Sequence, residues 1–251
     1  MKTKEDKFRH ELEVFRTEVE FSIQFFYTDL TINAVLGDNK EALKIVNLTP
    51  LFWRTNVGSL QTSFFIVLGR IFDQKLNHNV DKLLQTAQNN SIIFSAEALE
   101  RRKREENANA NEWIDDYMKD VYVPSAGDFR RLRKYVNKYR TIYKDKYRDI
   151  RRKVYAHKEL SKREDVQKLY SKTNIREMQK LIIFLNRLYV ALWELFHNGH
   201  KPTLRPMKYS VKSMRMAKVP EWQIKHVQER VVNETQKIFE ILTSAPNKSV
   251  H

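Results

Sequence analysis

No cysteine occurs anywhere in the chain, which excludes disulfides, thiol nucleophiles and Cys-based zinc or iron–sulfur sites and suits a reducing compartment. With 5 glycines and 6 prolines in 251 residues, the backbone has few breakpoints. No apolar run reaches the roughly 18 uncharged residues that a membrane span needs, and the start, Met1 to Lys7, lacks the apolar core of a signal peptide. A cytoplasmic protein with no membrane partner is therefore expected. The phosphate-cradling G-x-x-x-x-G-K-[ST] loop, the G-x-S-x-G elbow and the H-E-x-x-H zinc motif are also missing, which argues against those enzyme classes.

Positive charge is abundant: the formal net charge is +15. Between Arg130 and Lys168 there are 16 Lys or Arg against 5 Asp or Glu, and Lys201 to Lys218 holds 6 Lys or Arg and no acid. Such concentration raises the local density of polyanions and favours phosphate backbones or anionic lipid as partners. The plainer reading is a solvated basic face.

Apolar residues recur at helical spacing almost throughout, and no segment alternates as a strand with turn signals at its ends. The expected fold class is all-α: one helical bundle over residues 1–251, with long helices and an irregular basic insertion at 201–219 before the last helix. The first helix is expected from Glu5 to Leu36, ending at Gly37-Asp38-Asn39. A second starts at Thr49-Pro50 and carries the apolar run Leu60 to Phe72. Shorter helices are expected over Asn79 to Gln88 and Ser91 to Arg104. Ser125 and Asp128 are spaced as a capping box for a helix of roughly 30 residues, about 45 Å long, that ends near His157. Asn174 to His197 forms another helix, stopped by Asn198-Gly199. A short strand is possible at Lys208 to Val211, and Pro220 opens a last helix to about Leu242.

The chemistry-bearing stretch is Tyr147 to Glu159. Arg152 precedes His157 by five residues, and an always-charged guanidinium with an imidazole near its working pKa can move a proton and hold a phosphate. At 100° per residue the two lie about 140° apart around an α-helix, on divergent faces, so a second copy across a two-fold axis would complete the site. The tyrosines Tyr135, Tyr139, Tyr143 and Tyr147 recur every four residues among the cations, as base-stacking residues or as a packed seam. His197 and His200 are a weak metal pair, because Gly199 breaks the helix between them.

The run Arg152-Lys153-Val154-Tyr155-Ala156-His157 resembles the R-x4-6-H motif of the HEPN superfamily of ribonucleases. Upstream, Arg70-Ile71-Phe72-Asp73 resembles the Arg-Leu-Phe-Asp element of the AbiU-like abortive-infection branch. The resemblance implies a helical fold and a composite RNase site at a symmetric homodimer interface, with Arg152 and His157 as the catalytic pair. Arg151 is the substitute for Arg152, and Lys153 stands where the family often has a polar Asn, Asp or His. Lys144, Lys146, Arg148, Arg151, Lys153 and Lys158 are expected to bind RNA, and Arg70, Asp73 and Tyr155 to be accessory. Arg70 and Asp73 would form a salt-bridged helix terminus. No cofactor and no metal are expected. The implied activity is RNA cleavage by the substrate's own 2′-hydroxyl, in phage defence or as a toxin-type effector, with an antitoxin or other regulatory protein as a further partner.

Two other readings remain open. The same residues suit a non-catalytic helical module that binds RNA or protein and keeps the motif at its dimer interface, with His157 serving as a helix C-cap. Peripheral membrane binding fits less well, because the apolar face of the basic helix is dominated by tyrosine.

Overall fold

The computed structural model describes residues 3–156, 159, 162–217, 221–224 and 226–244. Among these residues all regular structure is helical and no strand occurs. α1 spans Lys4–Asp38 and α3 spans Pro50–Phe72. Between them lies α2, Lys40–Leu48, where the sequence suggested only a turn. Asn39 has extended backbone, and its side chain accepts from the N–H groups of Glu41 and Ala42 at 3.0 and 3.1 Å. It is therefore an N-cap, satisfying donors that the first helical turn leaves free. Thr49 closes α2 with its N–H on the Val46 carbonyl, and its own carbonyl accepts from Trp53 in α3.

α4 is Val80–Asn89, capped by Asn79 on Lys82 N–H at 3.0 Å, and α5 is Ala96–Glu106, capped by Ser95 on Ala98 N–H at 3.2 Å. α6, Ile114–Met118, is short and follows the polar break. From Ala126 to Ala156 the chain is helical without interruption: α7 (Ala126–Ile142), a π-helical turn (Tyr143–Tyr147), α8 (Arg148–Ile150) and a second π-helical turn (Arg151–Ala156). α9 (Arg163–Tyr170), α10 (Ile175–Asn198), α11 (Val211–Met216) and α12 (Val227–Ser244) complete the order.

The segment 201–219 is not wholly irregular, and the strand suggested at Lys208 to Val211 is absent. Residues 208–210 are extended coil, and Ser210 caps α11. Val211 and Met214, three apart, are both buried, which is helical rather than strand periodicity. Lys218 to Pro220 lie outside the described residues, and regular α-helix resumes at Val227.

The chain falls into two compact units, residues 1–19, 69–149 and 184–207, and residues 20–68, 150–183 and 208–251. No compositional boundary marks the division, because α1, α3 and α10 each contribute to both. In the first unit Phe8 packs against Phe94 and Phe196, with ring centroids 5.1 Å apart in each pair. Arg102, only 3 % exposed, donates to the Ile93 and Phe196 carbonyls at 2.8 and 2.9 Å and pairs with Glu5 at 3.2 Å. A buried guanidinium is tolerated because its terminal nitrogens are matched by these acceptors and by the Glu5 charge.

In the second unit the buried Tyr27 donates its hydroxyl to the Tyr209 carbonyl at 2.9 Å. Ile32, Val35, Ala42 and Phe239 form a core cluster on which Trp53 stacks, 5.3 Å from Phe239. Full burial of an aliphatic or phenyl side chain of this kind stabilises by roughly 1.5–3 kcal/mol. Among the described residues no helix is long and apolar enough to cross a membrane.

Candidate active site

The helical stretch from Ala126 is started by its capping box. Asp128 accepts from Ser125 N–H at 2.9 Å, from Ser125 Oγ at 2.8 Å and from the Tyr122 hydroxyl at 2.7 Å. Burial opposes ionisation of Asp128, yet these bonds and the nearby Arg131 together hold its carboxyl below the usual carboxylate range. Phe129, Leu132, Val136, Tyr143, Tyr147 and Ile150 then fall on the buried side. The lower tyrosines are thus seam, not stacking platform: Tyr143 lies flat on Phe72, 5.1 Å between centroids, and Tyr147 is 1 % exposed. Tyr139 is half-buried and Tyr135 exposed.

Arg152 stands exposed on the second π-helical turn and, among the described residues, makes no hydrogen bond or ion pair. Arg151, the alternative, is half-buried and engaged within the fold, as is Lys153. Lys144 and Arg148 are exposed, whereas Lys146 is half-buried and engaged. His157 and Lys158 lie outside the described residues. The angular argument of the sequence assumed an α-helix, whereas the described residues up to Ala156 are π-helical, and His157 lies outside them. Hydrogen bonding that reaches to i+5 brings residues five apart closer to one line than an α-helix does.

Tyr155, on this turn, is anchored rather than exposed. Its ring stacks on Phe65 at 5.0 Å, its hydroxyl lies 2.6 Å from that of Tyr170, and it reaches Gln61 Oε1 at 3.4 Å. Gln61 in turn faces Asp29, at 3.4 and 3.5 Å, and Asn33 donates to Asp29 at 3.0 Å. Burial raises the Asp29 carboxyl above its ordinary value, against these two amide bonds, and burial likewise raises the Tyr155 phenol. Sequence reasoning missed this polar cluster. Its signal was Asp29 and Asn33, four apart, in an otherwise apolar stretch of α1.

Arg70 does not form the helix-end pair suggested with Asp73. Its Nε and Nη2 grip the Glu18 carboxylate of α1 at 2.9–3.0 Å, and Asp73 accepts from Lys75 N–H at 3.1 Å in the turn after α3. Both serve structure there. His200 Nδ1 lies 2.8 Å from Glu194, an acid from the preceding turns of α10, while the His197 ring packs on Trp193 and Phe196. Among the described residues no group of three or more His, Asp or Glu side chains is arranged to hold a metal ion.

The family model HEPN_AbiU2, described as AbiU2, matches residues 5–210, most of the chain. No curated protein and no solved structure matches it. The match covers both the Arg70 to Asp73 element and the Arg152 to His157 motif, in an all-helical chain. The chain belongs to the HEPN_AbiU2 family.

Proposed function

We propose that the chain is an endoribonuclease that needs no metal ion, acting in phage defence by abortive infection or as a toxin-type effector. The observation that supports this best is Arg152: an exposed guanidinium with no partner among the described residues, on a turn anchored by Tyr155. In this reading a base removes the proton of the RNA 2′-hydroxyl, the 2′-oxygen bonds to phosphorus, and the bond from phosphorus to the 5′-oxygen breaks. The leaving oxygen takes a proton, giving a 2′,3′-cyclic phosphate and a 5′-hydroxyl. His157, assigned from the sequence motif, moves the proton, and Arg152 stabilises the negative charge that grows on the phosphate.

Lys144, Arg148 and Lys158 hold the flanking phosphates, with Arg151, Lys146 and Lys153 adding positive field. Tyr155 positions the turn without touching RNA. A second copy of the chain supplies the other half of a two-fold site, and a regulatory partner restrains the activity in the cell.

The test is cleavage of labelled single-stranded RNA in the presence of a chelator. Expected are 5′-hydroxyl products, abolished by Arg152→Ala and by His157→Ala. Cleavage that persists in both variants, or none by the parent protein, overturns the reading and leaves a binding module.

A further inference from the structure

A second ligand-ready region lies within the first unit. α7 supplies Arg131, Tyr135 and Tyr139, α10 supplies Phe184 and Arg187, and the coil after α10 supplies Lys201 and the backbone of residues 202–204. Together they line a groove of about 410 Å³, within the range of small-ligand sites. The coil is aimed here by Gly199. Its φ of 61° lies in the left-handed region, and a Cβ there would come within 2.6 Å of Leu99 and 2.8 Å of Val121. The Gly199 carbonyl accepts from Tyr122 N–H at 2.7 Å, which fixes where Lys201 begins.

Three cations and no carboxylate line the groove. Arg131 is balanced by Asp128 at 3.0 Å, but among the described residues the Lys201 ammonium meets only the face of Tyr122, 5.5 Å from the ring centre. Arg187 donates to the Leu204 carbonyl, while its Nε is buried without an acceptor. No acidic side chain in the groove neutralises these charges, so an anion would be attracted to them. Beside these charges stand two phenol rings. Tyr139 is already sandwiched on Phe184, 4.1 Å between centroids, with Lys138 above it at 5.9 Å. Tyr135 is 43 % exposed and has no ring partner among the described residues.

A planar aromatic group could thus lie on Tyr135 while an attached anion meets Arg187 and Lys201. That pairing of flat ring and phosphate is the chemistry of a nucleotide. We propose that this groove binds a nucleotide, base on Tyr135 and phosphate at Arg187 and Lys201, either as one unit of a single-stranded RNA or as a free nucleoside phosphate. The site does not depend on RNA cleavage and stands separately from the reading of Arg152 and His157.

The experiment titrates the full chain with two probes: a fluorescent 2′-O-methyl single-stranded oligonucleotide, which cannot be cut by 2′-hydroxyl attack, and adenosine monophosphate. Tyr135→Ala, Tyr135→Phe and Lys201→Gln are compared with the parent. Tyr135 is exposed, so its replacement leaves the fold intact, as circular dichroism checks. Tyr135→Ala is expected to weaken binding by about tenfold and Tyr135→Phe to bind like the parent, because the ring and not the hydroxyl stacks. Lys201→Gln is expected to reduce the salt slope of oligonucleotide binding by about 0.7, one phosphate contact.

A Tyr135-dependent effect on the oligonucleotide identifies the strand as ligand, and the same effect on adenosine monophosphate alone identifies the free nucleotide; either supports the site. Failure of the parent to bind either probe, or Tyr135→Ala binding both as tightly as the parent, overturns it. Because the oligonucleotide is uncleavable, absence of nuclease activity would not imitate that failure.

Discussion

The two halves of the helical stretch Ala126–Ala156 carry the same kind of sequence, cations interleaved with tyrosines, and put it to opposite uses. In the first half Arg131 is paired with Asp128, Arg133 donates to Gln88 at 3.0 Å and Arg140 pairs with Asp81, while Arg130, Lys134 and Lys138 stand exposed. Tyr135 and Tyr139 line the groove. Toward the second half Tyr143 and Tyr147 are buried and Tyr155 is stacked, while Lys144, Arg148 and Arg152 stand exposed. Both halves present exposed cations, but the first presents rings beside them and the second hides its rings. Composition alone does not separate these cases, whereas the burial of each ring in the fold does.

The largest expected effect tests the free charges. Arg152→Ala and His157→Ala should each lower RNA cleavage by about 10²- to 10⁴-fold while binding of an uncleavable strand persists. Arg152→Lys should also be impaired, because an ammonium cannot reproduce the fork that grips two phosphate oxygens. Arg151→Ala is the matched control: it removes the same charge from a half-buried, engaged side chain and should cost mainly stability. Should gel assays find Arg151→Ala inactive and Arg152→Ala active, the assignment of the two arginines is reversed.

The boundaries of α1, α3 and α10 and the Ser125–Asp128 capping box were legible in the sequence, because turn residues and caps act locally. α2 was not, since Asn39 can mark a turn or an N-cap and only the bonds to Glu41 and Ala42 decide. α11 was not legible either, and a strand was suggested just before it at Lys208 to Val211 because Tyr209 and Val211 favour strands in isolation; burial of Val211 with Met214 overrode that preference. At the site, the exposure of Arg152 agreed with its place in a basic run. The π turn did not show, as the apolar periodicity was fitted at α-helical spacing. Nor did the groove, whose Arg187 comes from a helix far along the chain from Tyr135, amid the apolar residues of α10.

A smaller effect separates the exposed cations of the second half from the paired ones of the first. Replacing Lys144 and Arg148 together with alanine should lower the salt slope of RNA binding by up to about 1.4, at roughly 0.7 per phosphate on a single strand. Replacing Arg133 and Arg140 should leave that slope nearly unchanged and show instead as lost stability. Equal slopes for the two sets of variants, measured by anisotropy from low to physiological salt, would erase the distinction between the halves.

Smaller still is the test of the hidden rings. Tyr155→Phe keeps the stack on Phe65 and deletes the hydroxyl that meets Tyr170, so about 1 kcal/mol of unfolding free energy should be lost. RNA affinity should not change. Denaturant unfolding and anisotropy on the same samples give both numbers, and a loss of affinity at unchanged stability would move Tyr155 into the RNA-binding surface.

The smallest effect is one of sign. Asp128, under the first half, has its carboxyl held below the ordinary range by Tyr122, Ser125 and Arg131 despite its burial, so the native state prefers it ionised. Its stabilising contribution is present above the unfolded carboxylate pKa and is lost as pH falls through the lower folded value. Asp29, under Tyr155, is raised by burial more than its bonds to Gln61 and Asn33 lower it, so the native state prefers it protonated. Its contribution is present below the unfolded pKa and is lost as pH rises through the higher folded value. Asp128→Asn should therefore be less stable than the parent at neutral pH, with the gap closing in acid. Asp29→Asn loses some hydrogen-bond geometry at every pH, but relative to the parent it should gain stability as pH rises from acid to neutral. Thermal midpoints of the three proteins across that range read both trends. Parallel curves for Asp29→Asn and the parent would mean that the carboxyl beneath Tyr155 is hydrated, and the buried polar cluster would then no longer explain how the second π turn is held.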